Sequence, residues 1–152
     1  LVLQGGGALG AYQGGVYEQL AEHGCTIWLF GSPKDRVVAE EISGLASGLC
    51  RNLCGSTSLA QAIDLLALSD LVVCNDSGLM HVAAALDRPI VALYGSSSPG
   101  FTPPLSERAA ILSLNLDCSP CFKRECPLGH LDCLNKLSPE QVLAACLKRS
   151  AP

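Results

Sequence analysis

Short apolar runs alternate with segments of helical periodicity, and this alternation restricts the fold more than any other feature of the sequence. Runs such as "TIWLFG", "DLVVCN" and "PIVALYG" are rich in β-forming residues and end in Gly or Asn. Between them, apolar residues recur every three or four positions, as in a helix that buries one face. The alternation predicts an α/β fold, namely a Rossmann-like parallel sheet with helices on both faces.

The same patterns place the individual elements. The predicted strands cover residues 1–4, 26–31, 51–55, 70–75, 89–95 and 109–114, and the predicted helices cover residues 11–23, 35–49, 59–68, 77–86 and 139–147. Inward-facing side chains are expected on the second and third helices at Val37, Val38, Ile42, Leu45, Leu59, Ile63, Leu66 and Ala67. The cysteine-rich stretch after residue 114 is predicted to be a loop.

Length and composition narrow the class of protein. The chain has 152 residues, which suits one domain covering residues 1–152, and 49% of the residues are hydrophobic. A net charge of −4 argues against a nucleic-acid partner, since no basic stripe is present. No apolar run approaches the roughly 18 residues of a membrane-spanning helix, and no signal peptide is recognisable, so we expect a cytoplasmic protein.

Small polar residues follow four of the predicted strands. The segments are "GSPKD", "GSTS", "NDSGL" and "GSSSPG". Ligands bind at the carboxyl ends of the strands in open parallel sheets. Four Gly/Ser loops on that edge leave room for a ligand and offer backbone N–H groups, so the sequence predicts a ligand site there.

The segment "VVCNDSGLMHVAAAL" is the most informative of the four. A strand passes directly into a helix, whose first N–H groups at Ser77, Gly78 and Leu79 favour an anion such as a diphosphate. Asp76 either caps the helix or orients a nearby N–H group or hydroxyl. His81 lies one turn into the helix and is either a phosphate ligand or an ordinary packed or surface residue.

These residues also resemble a known family. From about residue 20 to residue 147, the segments "LFGSPKD", "SLAQAIDLLALSDLVVCNDSGLMHVAAALDRPIVALYGSSSP", "FTPPLSE" and "LDCSPCFKRECPLGHLDCL" resemble the C-terminal domain of the ADP-heptose:lipopolysaccharide heptosyltransferase II family. That family has the two-domain GT-B glycosyltransferase fold. The resemblance implies that residues 21–152 bind the nucleotide sugar ADP-heptose as a substrate, with no separate cofactor.

The resemblance also implies roles for individual residues. Asp76, Ser77, Gly78, Leu79 and His81 would surround the diphosphate, and the "GSSSPG" loop with Ser96 would close near it. The adenine would lie near Thr57 and Ser58, and Asp35 would hold the ribose hydroxyls. A helix-start carboxylate that simply faces solvent is the alternative for Asp35.

In that family, an N-terminal domain supplies the lipopolysaccharide core acceptor site and a carboxylate that activates the acceptor hydroxyl. The sequence shows no such domain, so we expect donor binding with little or no transfer and assign no catalytic residue. The face that meets the other domain in the family is expected to be apolar here, which predicts self-association.

The opening "LVLQGGGALGAYQGG" does not follow that pattern. Gly5, Gly7 and Gly10 fit G-x-G-x-x-G, a weak dinucleotide signal on its own. Residues 1–20 resemble the N-terminus of patatin-like phospholipases, which predicts a grafted strand–turn–helix. An acyl hydrolase fragment is therefore one alternative function, although no G-x-S-x-G elbow is present. A non-catalytic chimeric nucleotide-binding fold is another.

Four of the nine cysteines are clustered. Cys118, Cys121, Cys126 and Cys133 read C-x2-C-x4-C-x6-C, which is compatible with zinc, with disulfides or with free thiols. We assign no metal site, since the resemblance explains the segment without one. Lys123 and Arg124 in this stretch either face an anionic lipid acceptor or form an ordinary solvated surface. The remaining cysteines are read as small core residues of a reduced protein.

Overall fold

A six-stranded sheet forms the centre of the structure, a computed structural model that describes residues 2–4, 11–45 and 48–150. The strands of the described residues are β1 (Val2–Gln4), β2 (Ile27–Phe30), β3 (Cys50–Asn52), β4 (Val72–Asn75), β5 (Ile90–Tyr94) and β6 (Ala109–Ser113). Their order is β3-β2-β1-β4-β5-β6, and all neighbouring strands are parallel. The predicted parallel sheet is confirmed.

The strand order contains one change of direction. β1 pairs with β2 on one side, where Val2 lies opposite Trp28, and with β4 on the other, where Val2 lies opposite Val72. The chain adds β2 and β3 outward from β1 and then crosses to add β4, β5 and β6. The connections on the two sides of such a point leave the sheet in opposite directions, which opens a crevice at the carboxyl ends of the strands.

Helices cover both faces of the sheet, as predicted. They are α1 (Ala11–Glu22), α2 (Arg36–Leu45), α3 (Leu59–Ala67), α4 (Gly78–Ala85), α5 (Asp132–Asn135) and α6 (Pro139–Ser150), and a 3₁₀ turn at Pro33–Asp35 precedes α2. Buried side chains of α1, α2 and α6 pack on one face. Buried side chains of α3 and α4 pack on the other. Because β5 lies between these layers, all five of its residues are buried.

Three predicted inward positions are wrong, namely Val37, Leu59 and Ala67, and the last of these is exposed at the end of α3. The side chain of Leu45 lies outside the described residues. Val37 is 64% exposed and Leu59 is 68% exposed. Val37 lies about 200° around α2 from the buried Ala39, and therefore on the opposite side of the helix. Leu59 begins α3, and the side chains of α3 that reach the core come later, at Ala62 and Leu66.

Some element boundaries also differ from the prediction. α2 ends at Leu45 instead of residue 49, and β3 begins at Cys50. The cysteine-rich stretch, predicted to be a loop, contains the four-residue helix α5. Throughout the described residues, no helix combines the length and the apolar character needed to cross a bilayer.

Candidate functional site

The carboxyl ends of β4, β5 and β6 meet at one edge of the sheet because the strands are parallel. A cleft of about 880 Å³ opens at this edge. Its walls come from the end of β4, from the loop after β5 and from the cysteine-rich loop, which we define as residues 118–134. Such a volume is typical of a small-molecule site.

The start of α4 directly follows Asn75 and Asp76, which line the cleft. Ser77 is the N-cap residue, with an extended backbone, and its carbonyl accepts a hydrogen bond from the N–H of Met80 at 3.1 Å. Gly78 is exposed, and a Cβ added there would meet no atom within 4 Å. The first N–H groups of a helix have no acceptor within the helix, so the open space ahead of Gly78 is suited to an anion.

Asp76 is tied to a distant loop. Its Oδ2 accepts a hydrogen bond from the Thr102 hydroxyl at 2.6 Å. The Thr102 carbonyl in turn accepts a hydrogen bond from the Tyr94 hydroxyl. Of the two roles considered for Asp76, the structure shows the second, since the carboxylate orients a hydroxyl and Ser77 occupies the cap position.

The Tyr94 hydroxyl and the Cys74 thiol, both close to Asp76, stay neutral at neutral pH. Burial, and then the negative charge of Asp76, raise the pKa of Tyr94 to about 12. The same two causes raise the pKa of the Cys74 thiol to about 12. Tyr94 therefore remains a hydrogen-bond donor across the neutral pH range.

Asn75, the last residue of β4, was not among the predicted site residues. It lines the cleft, and its Oδ1 is buried without a hydrogen-bond partner among the described residues. A buried amide oxygen without a partner is costly, so a ligand donor would satisfy it. The signal in the sequence was its position, since it is a polar residue that ends a buried strand beside the crevice.

The cysteine-rich loop is anchored to the end of β5. The Ser119 hydroxyl donates to the carbonyl of Gly95, and the Phe122 N–H donates to the carbonyl of Ser96 at 2.7 Å. The rings of Phe101 and Phe122 meet edge to face with centroids 5.3 Å apart. These contacts place Lys123 and Arg124 in the wall of the cleft together with Ser96. Glu125 lines the cleft beside them, so this part of the lining carries two cations and one carboxylate, and Asp76 lines another part.

The four clustered cysteines line the same cleft as free thiols. Burial and the three neighbouring thiols raise the pKa of Cys133. Backbone N–H groups, that of Leu131 foremost, lower the pKa of Cys126. The described residues contain no group of three or more candidate ligands that could hold a metal ion.

The predicted nucleoside residues lie at the neighbouring ends of β2 and β3. Asp35 accepts hydrogen bonds through Oδ2 from both the N–H and the hydroxyl of Ser32, each at 2.7 Å. The Ser58 hydroxyl accepts from the Gln61 N–H at 3.3 Å and caps α3. Thr57 beside it is half-buried. None of the three predicted residues lines the cleft.

The remaining predicted residues sit on or beside α4. His81 is exposed, and Leu79 packs against the core cluster of α3 and α4, so neither side chain lines the cleft. The structure thus places Asp76 and Ser96 in the lining of one cleft and the other predicted site residues outside that lining. The opening glycines Gly5, Gly7 and Gly10 lie outside the described residues.

Comparisons with known proteins agree on one family. The model of glycosyltransferase family 9 (heptosyltransferase) matches residues 12–132. Lipopolysaccharide heptosyltransferase 2 of Salmonella typhimurium is 46% identical over 130 residues, which cover 83% of this chain and 37% of that protein. Lipooligosaccharide heptosyltransferase 2 of Haemophilus ducreyi is 47% identical over 133 residues, with 83% and 38% covered. The chain thus spans less than half of these curated relatives.

Solved structures show the same fold. The Escherichia coli ADP-heptose lipopolysaccharide heptosyltransferase II structure is 38% identical with a TM-score of 0.83, and the match covers 98% of this chain and 45% of that one. A family 9 glycosyltransferase from Veillonella parvula, 24% identical, matches with a TM-score of 0.79 over 98% of this chain and 45% of its own.

These matches bear on the N-terminal segment. The family model begins at residue 12, within residues 1–20 that the patatin-like resemblance had claimed. The Escherichia coli structure matches 98% of the chain. A separate patatin-like graft is therefore not supported, because α1 falls inside the family match. The chain belongs to glycosyltransferase family 9, the heptosyltransferase family.

Proposed function

We propose that this chain binds ADP-heptose as the donor half of a heptosyltransferase that acts in the synthesis of the lipopolysaccharide inner core. Membership of the family supports the reaction class, and the relative of known structure is named for ADP-heptose. One observation on this chain supports the proposed binding site. The open first turn of α4 lies beside a cleft at the carboxyl edge of the sheet.

The diphosphate would lie against the N–H groups of Ser77, Gly78 and Leu79, where the helix dipole favours negative charge. His81 would stand beside it. Lys123 and Arg124 in the cleft wall would add positive charge. Asp76 would otherwise repel the phosphates, and its hydrogen bond from the Thr102 hydroxyl reduces that repulsion.

The nucleoside would extend toward the ends of β2 and β3. Asp35 uses Oδ2 for Ser32, and we propose Oδ1 as the acceptor for the ribose hydroxyls. The adenine would lie by Thr57 and Ser58, and Ser96 would face the phosphates from the loop after β5. On the cleft wall, Asn75 Oδ1 would accept a hydrogen bond from the sugar, because it has no partner among the described residues.

Heptose transfer needs more than this half. A base must take the proton of the acceptor hydroxyl while the departing diphosphate is stabilised. The start of α4 and the two cations would supply the stabilisation. We propose that these 152 residues alone bind the donor without transferring heptose, and that a base and the lipopolysaccharide acceptor site come from a region the matched segment does not contain.

Exposed apolar side chains lie in the cleft wall and next to it. Phe122 and Leu128 line the cleft, Phe101 packs against Phe122, and all three are more than half exposed. An exposed apolar cluster favours contact with another protein surface. This observation supports contact with another domain, and self-association through the same face stays a prediction.

Calorimetric titration with ADP tests the proposal. We expect the native chain to bind ADP, and we expect Gly78→Val to weaken binding roughly 30-fold or more, since the new side chain would occupy the space proposed for the diphosphate. The melting temperature should change little, because a Cβ at Gly78 meets no protein atom within 4 Å.

Gly44→Ala is the matched control. Gly44 lies on α2, and an added Cβ there also meets nothing within 4 Å, so this variant should bind ADP normally. If Gly78→Val bound ADP as tightly as Gly44→Ala, the diphosphate site would be wrong. Absence of ADP binding by the native chain would overturn the proposed function itself.

A further inference from the structure

We infer that Thr102 is a positioning residue for the nucleotide site, because it fixes the Asp76 carboxylate and ties the loop after β5 to the end of β4. The inference rests on the proposed function, since the effect of Thr102 is exerted on a bound diphosphate. Thr102 lies 26 positions from Asp76 in the sequence and is not in any predicted site.

Thr102 makes hydrogen bonds in two directions. Its hydroxyl donates to Asp76 Oδ2 at 2.6 Å, and its carbonyl accepts from the hydroxyl of the buried Tyr94. Its N–H donates to the carbonyl of Ser98 at 3.3 Å. The backbone of Thr102 is therefore hydrogen-bonded to Tyr94 of β5 and to Ser98 of its own loop. Its side chain is hydrogen-bonded to Asp76.

The Thr102 hydroxyl affects the position of the Asp76 charge more than it affects packing. Thr102 is exposed, so its methyl group contributes little to the core. A hydrogen bond to an ionised acceptor is short and comparatively strong, and this one occupies one carboxylate oxygen. Without it, the Asp76 carboxylate would be able to rotate toward the start of α4, where it would repel an anionic ligand.

The contact also reaches the cationic wall of the cleft. Phe101 precedes Thr102 and packs against Phe122 of the cysteine-rich loop. Phe122 in turn precedes Lys123 and Arg124, which line the cleft. Fixing Thr102 therefore fixes Asp76 and, through one aromatic pair, the segment that carries both cations.

The test compares two ligands on Thr102→Val, which keeps the shape of the side chain and removes the hydroxyl. We expect ADP to bind roughly ten-fold more weakly, as for loss of a hydrogen bond to a charged group, and adenosine to bind as it does to the native chain. Thr102→Ser should restore ADP affinity. Ser106→Ala removes a hydroxyl just beyond the loop and serves as the matched control.

A double-mutant cycle with Asp76→Asn separates positioning from a general effect on the fold. If Thr102 acts through Asp76, Thr102→Val should weaken ADP binding no further in the Asp76→Asn background. Additive losses, or equal losses for ADP and adenosine, would contradict the inference. So would unchanged ADP affinity of Thr102→Val while the native chain binds, a result that leaves the proposed function intact.

Should Thr102→Val not fold, Tyr94→Phe provides the second variant. It removes the hydroxyl that donates to the Thr102 carbonyl and keeps the buried ring. We expect a selective loss of ADP affinity, smaller than that of Thr102→Val. Equal affinities of Tyr94→Phe and the native chain for ADP would count against the inference.

Discussion

Two neighbouring parts of the carboxyl edge use their polar side chains differently. At the β4–β5 edge, defined as residues 75–78 and 95–104, the hydrogen bond from Thr102 to Asp76 joins segments 26 positions apart. At the β2–β3 edge, defined as residues 31–35 and 53–58, the carboxylate of Asp35 binds Ser32 three positions away. Ser58 likewise binds Gln61, three positions on.

Hydrogen bonds between distant segments and hydrogen bonds within one segment have different effects on a ligand site. Local bonds such as those of Asp35 and Ser58 stabilise the starts of their own helices. Long-range bonds fix one loop against another, which is what a preorganised ligand site needs. This contrast supports the proposal that the charge of the ligand is recognised mainly at the β4–β5 edge and the nucleoside at the β2–β3 edge.

Alkaline pH gives the largest expected effect and acts on one thiol at the β2–β3 edge and on one thiol of β4 next to the β4–β5 edge. Burial raises the pKa of Cys54, at the β2–β3 edge, to about 11, and burial raises that of Cys74, on β4, to about 12. A group with a raised folded pKa stabilises the protein fully below its unfolded pKa, near 9 for these thiols, and this stability is lost as the pH rises through the folded value.

Each buried thiol should therefore lower the unfolding free energy by up to about 1 kcal/mol per pH unit between pH 9 and its folded pKa. Urea titrations at pH 8, 9.5, 11 and 12, under reductant, measure this loss. Cys74→Ala should reduce the slope of this loss up to pH 12 and Cys54→Ala only up to pH 11, while the remaining groups of raised pKa, Cys146 and Tyr94 among them, continue to contribute. If the unfolding free energies of Cys74→Ala and Cys54→Ala showed the same dependence on pH, the expected difference between the two thiols would be wrong.

A methyl group at the end of β5 is the second perturbation. A Cβ at Gly95 would lie 2.8 Å from a side-chain carbon of Leu134 and 3.2 Å from the sulfur of Cys133. We expect Gly95→Ala to lower the unfolding free energy by roughly 1–3 kcal/mol through overpacking. It should also weaken ADP binding, because it displaces the cysteine-rich loop.

Gly44→Ala is again the comparison, and it should raise the unfolding free energy by up to about 1 kcal/mol, because alanine favours the helix and the space is open. Chemical denaturation of both variants measures the contrast. A destabilisation of Gly95→Ala without loss of ADP affinity would show that the cysteine-rich loop does not shape the nucleotide site.

The sequence predicted the layers of the fold well, because strands buried on both faces read as continuous apolar runs such as "DLVVCN". It also identified the passage from β4 to α4, since Asn-Asp-Ser-Gly is a local signal for a helix start. It could not show that Thr102 binds Asp76 or that Asn75 lacks a partner, because both facts depend on how distant loops come together in space.

The hydrophobic pattern also could not predict how deeply a side chain at the start of a helix is buried. Periodicity assigns Leu59 and Leu66 to the same face of α3, seven positions apart, yet Leu59 is 68% exposed and Leu66 is fully buried. The hydrophobic pattern gives the direction in which a side chain points and not the distance to which the core extends beneath it.

Leu59 supplies the smallest expected effect and a direct test of that distinction at the β2–β3 edge. We expect Leu59→Gln to change the unfolding free energy by less than about 0.5 kcal/mol, because an exposed side chain that becomes polar loses little buried area. Leu66→Ala, on the same face of α3, should cost roughly 2–5 kcal/mol by leaving a cavity. Urea unfolding of the two variants, with ADP titration alongside, makes the measurement. A cost above 1 kcal/mol for Leu59→Gln would mean that the core reaches the start of α3, and the β2–β3 edge would then be packed as tightly as the β4–β5 edge.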